Sequence, residues 1–491
     1  MSSSHARADS REGERADAAD VVVVGGGIAG LTAAYDLAAT GLDVFVLEAT
    51  DRVGGKLRRA EVAGVRVDVG AEAMLSRRPE GTALAARLGL PVVHPTGAAA
   101  QVWTRGALRP LPRSVMGVPA DLAALTASGI LSSAGLDRVR AEAGGRLDPG
   151  ADVSVAALVA DRLGGEVVDR LVEPLLGGVY AGRADRLSAR ATVPQLVAMA
   201  ERGRLLESVT QAPRAEGPVF AGIEGGVARL PEALAETGGF RVETGVTVRA
   251  LHPTADGFAL VTGPVPRPRL VEAGHVVVAT PAPAAARLLA AVAPMASAEL
   301  AGIELASVAV TTLAFRSSEV AGTALTDRSR SGFLVPPVDG RRIKAATFSF
   351  AKWDWVGAAG RAEGLVVLRT SLGRHGEEAA LQVPDAELVA ASLADLAAAT
   401  GVSARPVQTH VQRWGGGLPQ YAVGHLDRVR RVREDLERLN RRAEERGRGR
   451  AAVCGAAYDG VGIPAVIASG HRAADGILAG GRRGAITGRA Q

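Results

Sequence analysis

The stretch VVVVGGGIAGLTAAYDLAATGLDVFVLE, Val21 to Glu48, constrains the fold of this chain more than any other. Four β-branched residues, Val21 to Val24, predict a short buried strand. Gly25, Gly27 and Gly30 then form G-x-G-x-x-G, and Leu31, Ala34, Leu37 and Ala38 recur at helical spacing until Gly41. Asp43 to Glu48 predicts a second strand. In such a turn the first glycine takes backbone angles closed to other residues, the second leaves room for a pyrophosphate, and the third lets helix and strand pack closely. The helix N-terminus faces the phosphates with free N–H groups. Glu48 stands 18 residues after Gly30, where a carboxylate accepts hydrogen bonds from a ribose diol and repels a phosphorylated ribose. With 61 glycines in the chain the spacing alone can mark a plain turn, but strand, helix and acid all stand where a dinucleotide site requires them.

At 491 residues the chain exceeds a single typical core and predicts two domains or more. Its composition, 47% hydrophobic and 22% charged, is that of a globular protein. Residues 1–19 are polar, lack the apolar core of a secretory signal, and predict a disordered tail; residues 481–491 are assigned to a second tail. No run of about 18 apolar residues occurs, so no transmembrane helix is expected. Cys454 is the only cysteine, which excludes a disulfide within the chain, a redox C-x-x-C pair and a cysteine metal site, and is consistent with a cytoplasmic protein. The net charge is +5, and the 57 basic residues include only three lysines, Lys56, Lys344 and Lys352. Such a balance permits an acidic substrate and does not indicate nucleic acid. The densest charge run, Asp427 to Arg450, mixes both signs over an apolar stripe of Leu426, Val429, Val432, Leu436 and Leu439, and predicts a solvated amphipathic helix. No Ser/His/Asp arrangement or metal-ligand cluster stands out among the eight histidines. No metal is expected, no catalytic residue is assigned, and His425 and His471 read as structural.

Just past the acid, Arg52, Gly54 and Gly55 form R-x-G-G, which resembles flavoproteins related to amine oxidases and protoporphyrinogen oxidases and favours FAD over a nicotinamide cofactor. Only one strand-led dinucleotide fingerprint is present, which points to an enzyme that oxidises an organic substrate and passes electrons to oxygen or another small acceptor. Downstream, Val62 to Val69 alternates as a strand and breaks at Gly70, and Pro79 to about Glu207 reads as mainly helical. Strand patterns return in FRVETGVTVRAL, HVVVATPAPAA, VAVTTLAF and GLVVLRTSL, and AAVCGAAYDGVGIPAVIASGHRAADGIL reads as strand, glycine loop and helix. The fold class is therefore α/β. A Rossmann-like FAD domain is expected from 20–78, 215–300 and 414–480, a helical substrate domain at 79–214, and a mixed substrate domain at 301–413.

Five segments carry a closer resemblance: GGGIAGLTAAYDLAATGLDVFVLEATDRVGGK, VDVGAEAM, LVEPLLGGVYAGRADRLSARATVPQL, SGFLVPP, and RWGGGLPQYAVGH with CGAAYDGVGIPAVIASGHRAA. Together they resemble the FAD-dependent protoporphyrinogen oxidase family, in particular its soluble Gram-positive coproporphyrinogen III oxidase branch, over Val21 to about Leu478. The first segment is shared with amine oxidases, whereas the third separates the two families. The resemblance implies that Gly25, Gly26, Gly27, Ile28, Ala29 and Gly30 face the FAD pyrophosphate, that Glu48 with Ala49 meets the adenosine ribose, and that Lys56 stands where the chain passes the cofactor. It implies that Gly70, Ala71, Glu72 and Ala73 border the flavin and that Val248 meets the adenine through its backbone. Trp414, Val461, Gly462 and Ile463 are implied to line the isoalloxazine. Tyr180, Gly332 and Leu334 match segments of the family's substrate cavity, and Arg183 is a candidate for a propionate; each also reads as ordinary core or surface. Lys56 departs from the arginine of the amine-oxidase motif. Cys454 reads as buried filler rather than as a covalent flavin tether, so FAD is expected to bind noncovalently.

The implied activity is oxidation of coproporphyrinogen III to coproporphyrin III in haem biosynthesis. Six electrons leave in three two-electron steps, with oxygen as acceptor and hydrogen peroxide as product. Alternatives are a protoporphyrinogen IX oxidase, an amine oxidase and a non-catalytic flavoprotein. The reading leaves room for contact with a membrane surface and for transfer of the product to a downstream haem-pathway enzyme.

Overall fold

The computed structural model describes residues 17–479 except 144, 149, 214 and 215. Residues 1–16 and 481–491, expected as tails, and the expected boundary at 214 and 215 lie outside the described residues. The opening strand runs Asp17–Val24, so residues 17–19, assigned to the tail, are strand: they pair with Val271, Glu272 and Ala273 and thereby gain backbone partners.

Val21 to Val24 lie at the centre of a seven-stranded sheet. Its order is Arg241–Glu243, Val44–Leu47, Asp17–Val24, Arg269–Val278, Phe258–Thr262 and Ala250–Pro253, with Ala451–Val453 also paired to Arg269–Val278. The pairings around the opening strand are parallel, and the last two are antiparallel. A central parallel strand is covered on both faces, which is why four valines follow one another without a polar break. Val21 and Val23 pack with the opening helix Ile28–Ala38 and the closing helix Ile463–Leu478. Val22 and Val24 pack on the opposite face with Leu251, Phe258 and the helices Ala282–Leu289 and Pro294–Ala301.

A second seven-stranded sheet runs Gln408–Pro419, Leu305–Arg316, Leu365–Leu372, Ile343–Thr347, Arg330–Leu334, Ala99–Thr104 and Ala107–Pro110. Its last two strands fall inside the block expected to be mainly helical. Ala99–Thr104 pairs parallel with Arg330–Leu334, a partner more than two hundred residues away. The helices from Leu122–Ser128 to Leu205–Thr210 form a core of their own, into which Tyr180 and Tyr421 are packed.

Two local readings change. The expected strand Val62 to Val69 is a hairpin, Arg59–Val62 and Val65–Asp68, because Ala63 and Gly64 adopt φ of 50° and 80° and turn the chain. The amphipathic helix spans His425–Glu444 and buries Val429, Val432 and Leu436, whereas Leu426 is exposed.

Candidate functional site

The three glycines of the opening turn meet three different surroundings. Gly25 has φ of 114°, and a Cβ there would stand 2.9 Å from the Ala279 carbonyl oxygen. At Gly30 a Cβ would lie 2.0 Å from the oxygen of Gly25, so helix and strand touch at that point. Gly27 has an ordinary φ of −74°, and a Cβ there would meet nothing within 4 Å. Its lack of a side chain therefore serves no packing need and leaves space in front of the helix. No side chain caps the opening helix, so the first-turn N–H groups of Ile28, Ala29 and Gly30 are available to an anion.

Glu48 is buried at the end of its strand. Its Oε2 accepts the Gly26 N–H at 2.6 Å, and its Oε1 accepts the Thr50 N–H at 2.9 Å and the Thr50 hydroxyl at 2.8 Å. A carboxylate has about four acceptor directions, so one on Oε2 is left for a ribose hydroxyl. Ala49 beside it is exposed. The Gly245 and Val246 N–H groups donate to Thr50 and Glu48 carbonyls at 2.7 and 2.9 Å, which brings the segment leading to Val248 alongside the acid. R-x-G-G closes the same cradle: the Gly54 N–H donates to Gly26 at 2.7 Å, and a Cβ on Gly55 would lie 3.3 Å from the Gly27 Cα. Arg52 spans the loop from inside, donating to the carbonyls of Val53 and Gly55 at 2.9 and 2.7 Å.

Lys56, Gly70 and Trp414 are brought together from three parts of the chain. A Cβ on Gly70 would lie 2.1 Å from the Lys56 carbonyl oxygen and 3.0 Å from the Trp414 ring, and Trp414 Nε1 donates to Val69 at 3.1 Å. The Lys56 residue itself is exposed, as is Ala71, while Ala73 is half-buried. Glu72 turns inward between two cations: Lys352 Nζ is 2.5 Å from its Oε1 and Arg369 Nη2 is 2.9 Å from its Oε2. Burial alone would raise the Glu72 carboxyl, but Arg369 and Lys352 outweigh it and hold the pKa at about 2. Arg369 also donates to the carbonyls of Asp68 and Gly70 at 2.8 and 3.0 Å. Asp68 accepts the Val227 N–H at 2.9 Å; burial lifts its pKa to about 7 against this bond and the charge of Arg369. Val461, Gly462 and Ile463 form the uncapped N-terminus of the closing helix.

Tyr180, expected on the substrate side, ends the helix Glu173–Tyr180, 7% exposed, and burial pushes its hydroxyl up to about 12. Leu334 reaches the same helix, 3.9 Å from where a Cβ on Gly178 would stand. Gly332 has a structural reason for its identity, since at φ of 133° a Cβ would lie 2.1 Å from the Ala346 oxygen of the neighbouring strand. Arg183 is exposed and paired through two bonds, of 3.2 and 3.1 Å, to Asp185.

The histidines singled out are structural. His425 is buried and stacked on Tyr421 with ring centroids 4.0 Å apart, and burial with Arg428 lowers its pKa to about 4. His471 pairs with Asp36. Cys454 is fully buried, and desolvation pushes its thiol up to about 12, as expected of filler. No cluster of metal-ligating side chains occurs among the described residues. The sequence reading missed Lys352 and Arg369, and also Lys344 and Arg374 behind Leu334. One signal pointed to the lysines: in a chain whose cations are almost all arginine, three lysines are an anomaly.

The profile of flavin-containing amine oxidoreductases matches residues 28–478. The chain belongs to this family. As a member it is an oxidoreductase, and a flavin carried on a dinucleotide turn is FAD. Among its relatives, a coproporphyrinogen III oxidase of Mycobacterium leprae is 39% identical, over 93% of this chain and 98% of the relative. That of Bacillus subtilis is 29% identical over 93% and 97%. A crystal structure from Exiguobacterium sp. 255-15, provisionally named a protoporphyrinogen oxidase, superposes with a TM-score of 0.81 at 30% identity over 94% of this chain and 98% of the other. A putrescine oxidase, at 18% identity and a TM-score of 0.68, shares the fold alone.

Proposed function

We propose that the chain oxidises coproporphyrinogen III to coproporphyrin III in haem biosynthesis, with noncovalently bound FAD and with oxygen reduced to hydrogen peroxide. The observation that carries the reading is end-to-end likeness to relatives that bear this name, M. leprae and B. subtilis among them. In this reading the first sheet forms the FAD half and the second sheet with the helical block forms the substrate half. When bound, FAD supplies a hydride acceptor that takes two electrons at a time. The chain's own part is to hold and orient. The space before Gly27 and the bare helix N-terminus receive the pyrophosphate, Glu48 offers an acceptor to the ribose, and the 243–248 segment lies beside the adenosine end. The Gly70 to Ala73 segment and Trp414 border the ring, fixed from behind by Arg369. Glu72 is no base at neutral pH, because its carboxylate is committed to Arg369 and Lys352.

Protoporphyrinogen IX is the second reading, favoured by a 27% identical relative named protoporphyrinogen oxidase 1 in Arabidopsis thaliana. Coproporphyrinogen III carries four propionates and protoporphyrinogen IX two. No helix among the described residues is long and apolar enough to cross a membrane, and the basic chain suits the more anionic substrate, handled in the cytoplasm and passed on to a later haem-pathway enzyme. Higher kcat/KM on coproporphyrinogen III is expected, with peroxide formed in step with porphyrin. A higher kcat/KM on protoporphyrinogen IX would reverse the choice and leave the oxidase chemistry standing.

A further inference from the structure

Lys344 and Arg374 are two buried cations at one place with little to balance them. Lys344 is 5% exposed, and its ammonium makes no hydrogen bond or ion pair among the described residues. Arg374 is 6% exposed; its Nη2 donates to the Val335 carbonyl at 3.2 Å, and the nearest carboxylate, Glu377, is 3.9 Å away and half-exposed. The two segments meet at one residue, since the Val335 carbonyl takes Arg374 and its N–H donates to the Lys344 carbonyl at 2.9 Å, and the Arg374 charge acts on the Lys344 ammonium. The next residue along from Arg374, His375, donates its N–H to Ala181 at 2.7 Å, directly after Tyr180. The pair thus lies where the Leu334 strand end meets the Tyr180 helix. Glu173 on that helix is the other carboxylate acting on Arg374, and it is already engaged by the Ala184 N–H at 2.7 Å.

A buried cation without a partner is costly, and a fold keeps one where something else supplies the missing charge. Desolvation, with Arg374 beside it, draws the Lys344 ammonium down to about 7, a penalty that an arriving anion reverses. A guanidinium fork beside a compact ammonium suits a planar carboxylate better than a diffuse anion. We propose that Lys344 and Arg374 form the anchor for one propionate carboxylate of the porphyrinogen, the role that Arg183 is too exposed and too well paired to fill. The inference rests on the proposed substrate class and adds the residues that select it.

The test uses the FAD-loaded protein and its Lys344→Met, Lys344→Arg and Arg374→Met variants. Two measurements are made: steady-state kinetics with coproporphyrinogen III, and binding of coproporphyrin III against its tetramethyl ester by fluorescence quenching. Lys344→Met should raise KM about tenfold or more, the scale of one charge-assisted hydrogen bond, while kcat changes less than about twofold. Lys344→Arg should recover most of the loss, which rescued packing alone would not produce. The wild-type protein should prefer the free acid to the ester, and both methionine variants should lose that preference while keeping FAD and thermal stability. Unchanged KM and unchanged acid preference in Lys344→Met and Arg374→Met would overturn the anchor and leave the oxidase reading intact. Loss of acid preference in a protein that oxidises no porphyrinogen would keep the anchor and remove the oxidase reading.

Discussion

Gly27→Val is expected to leave the protein folded and without FAD, whereas Gly30→Ala, one residue type smaller and one turn away, should damage the fold itself. The difference follows from what a side chain meets at each position. At Gly27 there is open space and an ordinary backbone conformation, so the apoprotein should lose no more than about 0.5 kcal/mol, as at other unpacked positions. In the proposed FAD site that space receives the pyrophosphate, and a branched side chain there denies it the helix N–H groups. With each charge-assisted bond worth about 1.5–3 kcal/mol, FAD affinity should fall roughly a hundredfold or more. At Gly30 even one methyl group would stand 2.0 Å from the Gly25 oxygen, a backbone atom that cannot step aside. Overpacking of this kind costs about 3 kcal/mol. Flavin-to-protein ratio after purification and thermal unfolding of the apoproteins separate the two effects. Stoichiometric FAD in Gly27→Val would mean that the open space before the helix is not the cofactor's.

The second large effect is at Arg369, which no glycine motif announces. Arg369→Met removes one of the two cations on buried Glu72 and frees the carbonyls of Asp68 and Gly70. Removing one partner of a buried pair costs about 3–5 kcal/mol, because the other charge stays behind uncompensated. The pH dependence carries a definite sign. The folded Glu72 pKa, about 2, lies below its ordinary 4.5, so this pair's stabilisation is fully present above pH 4.5 and is lost as pH falls toward 2. The gap in unfolding free energy between the protein and the variant should therefore be widest at neutral pH and narrow on acidification below 4.5. A gap that is small at pH 7, or that widens in acid, would show that Glu72 does not depend on Arg369. In the proposed FAD site the loop it fixes borders the ring, so the variant should also retain FAD less well.

The parts of this molecule legible in the sequence are those whose cause is local. Val21 to Val24 announce a strand covered on both faces, and each glycine of the first turn has the surroundings its spacing implies. The strands at Ala99–Thr104 and Ala107–Pro110 form a short local hairpin interrupted by Gln101 and Arg109, and it joins the sheet only through Arg330–Leu334, far along the chain. The hairpin at Val62 to Val69 leaves only a small mark, a shift of the apolar register from Val62 to Val65, Val67 and Val69 across Ala63 and Gly64. Glu72, Lys352 and Arg369 meet across 280 residues or more, and no periodicity reports such a meeting. Arg183 shows what nearness in sequence leaves out: it stands just past GGVYAG, and the neighbouring Asp185 holds its side chain at the surface.

The central claim is that this protein takes electrons from coproporphyrinogen III into FAD, and mixing the two without oxygen tests it most directly. The visible flavin absorbance should be bleached within one turnover, and admitting oxygen should restore it with formation of hydrogen peroxide and, after further rounds, fluorescent coproporphyrin III. A flavin that stays oxidised with coproporphyrinogen III but is bleached by primary or secondary amines would contradict it.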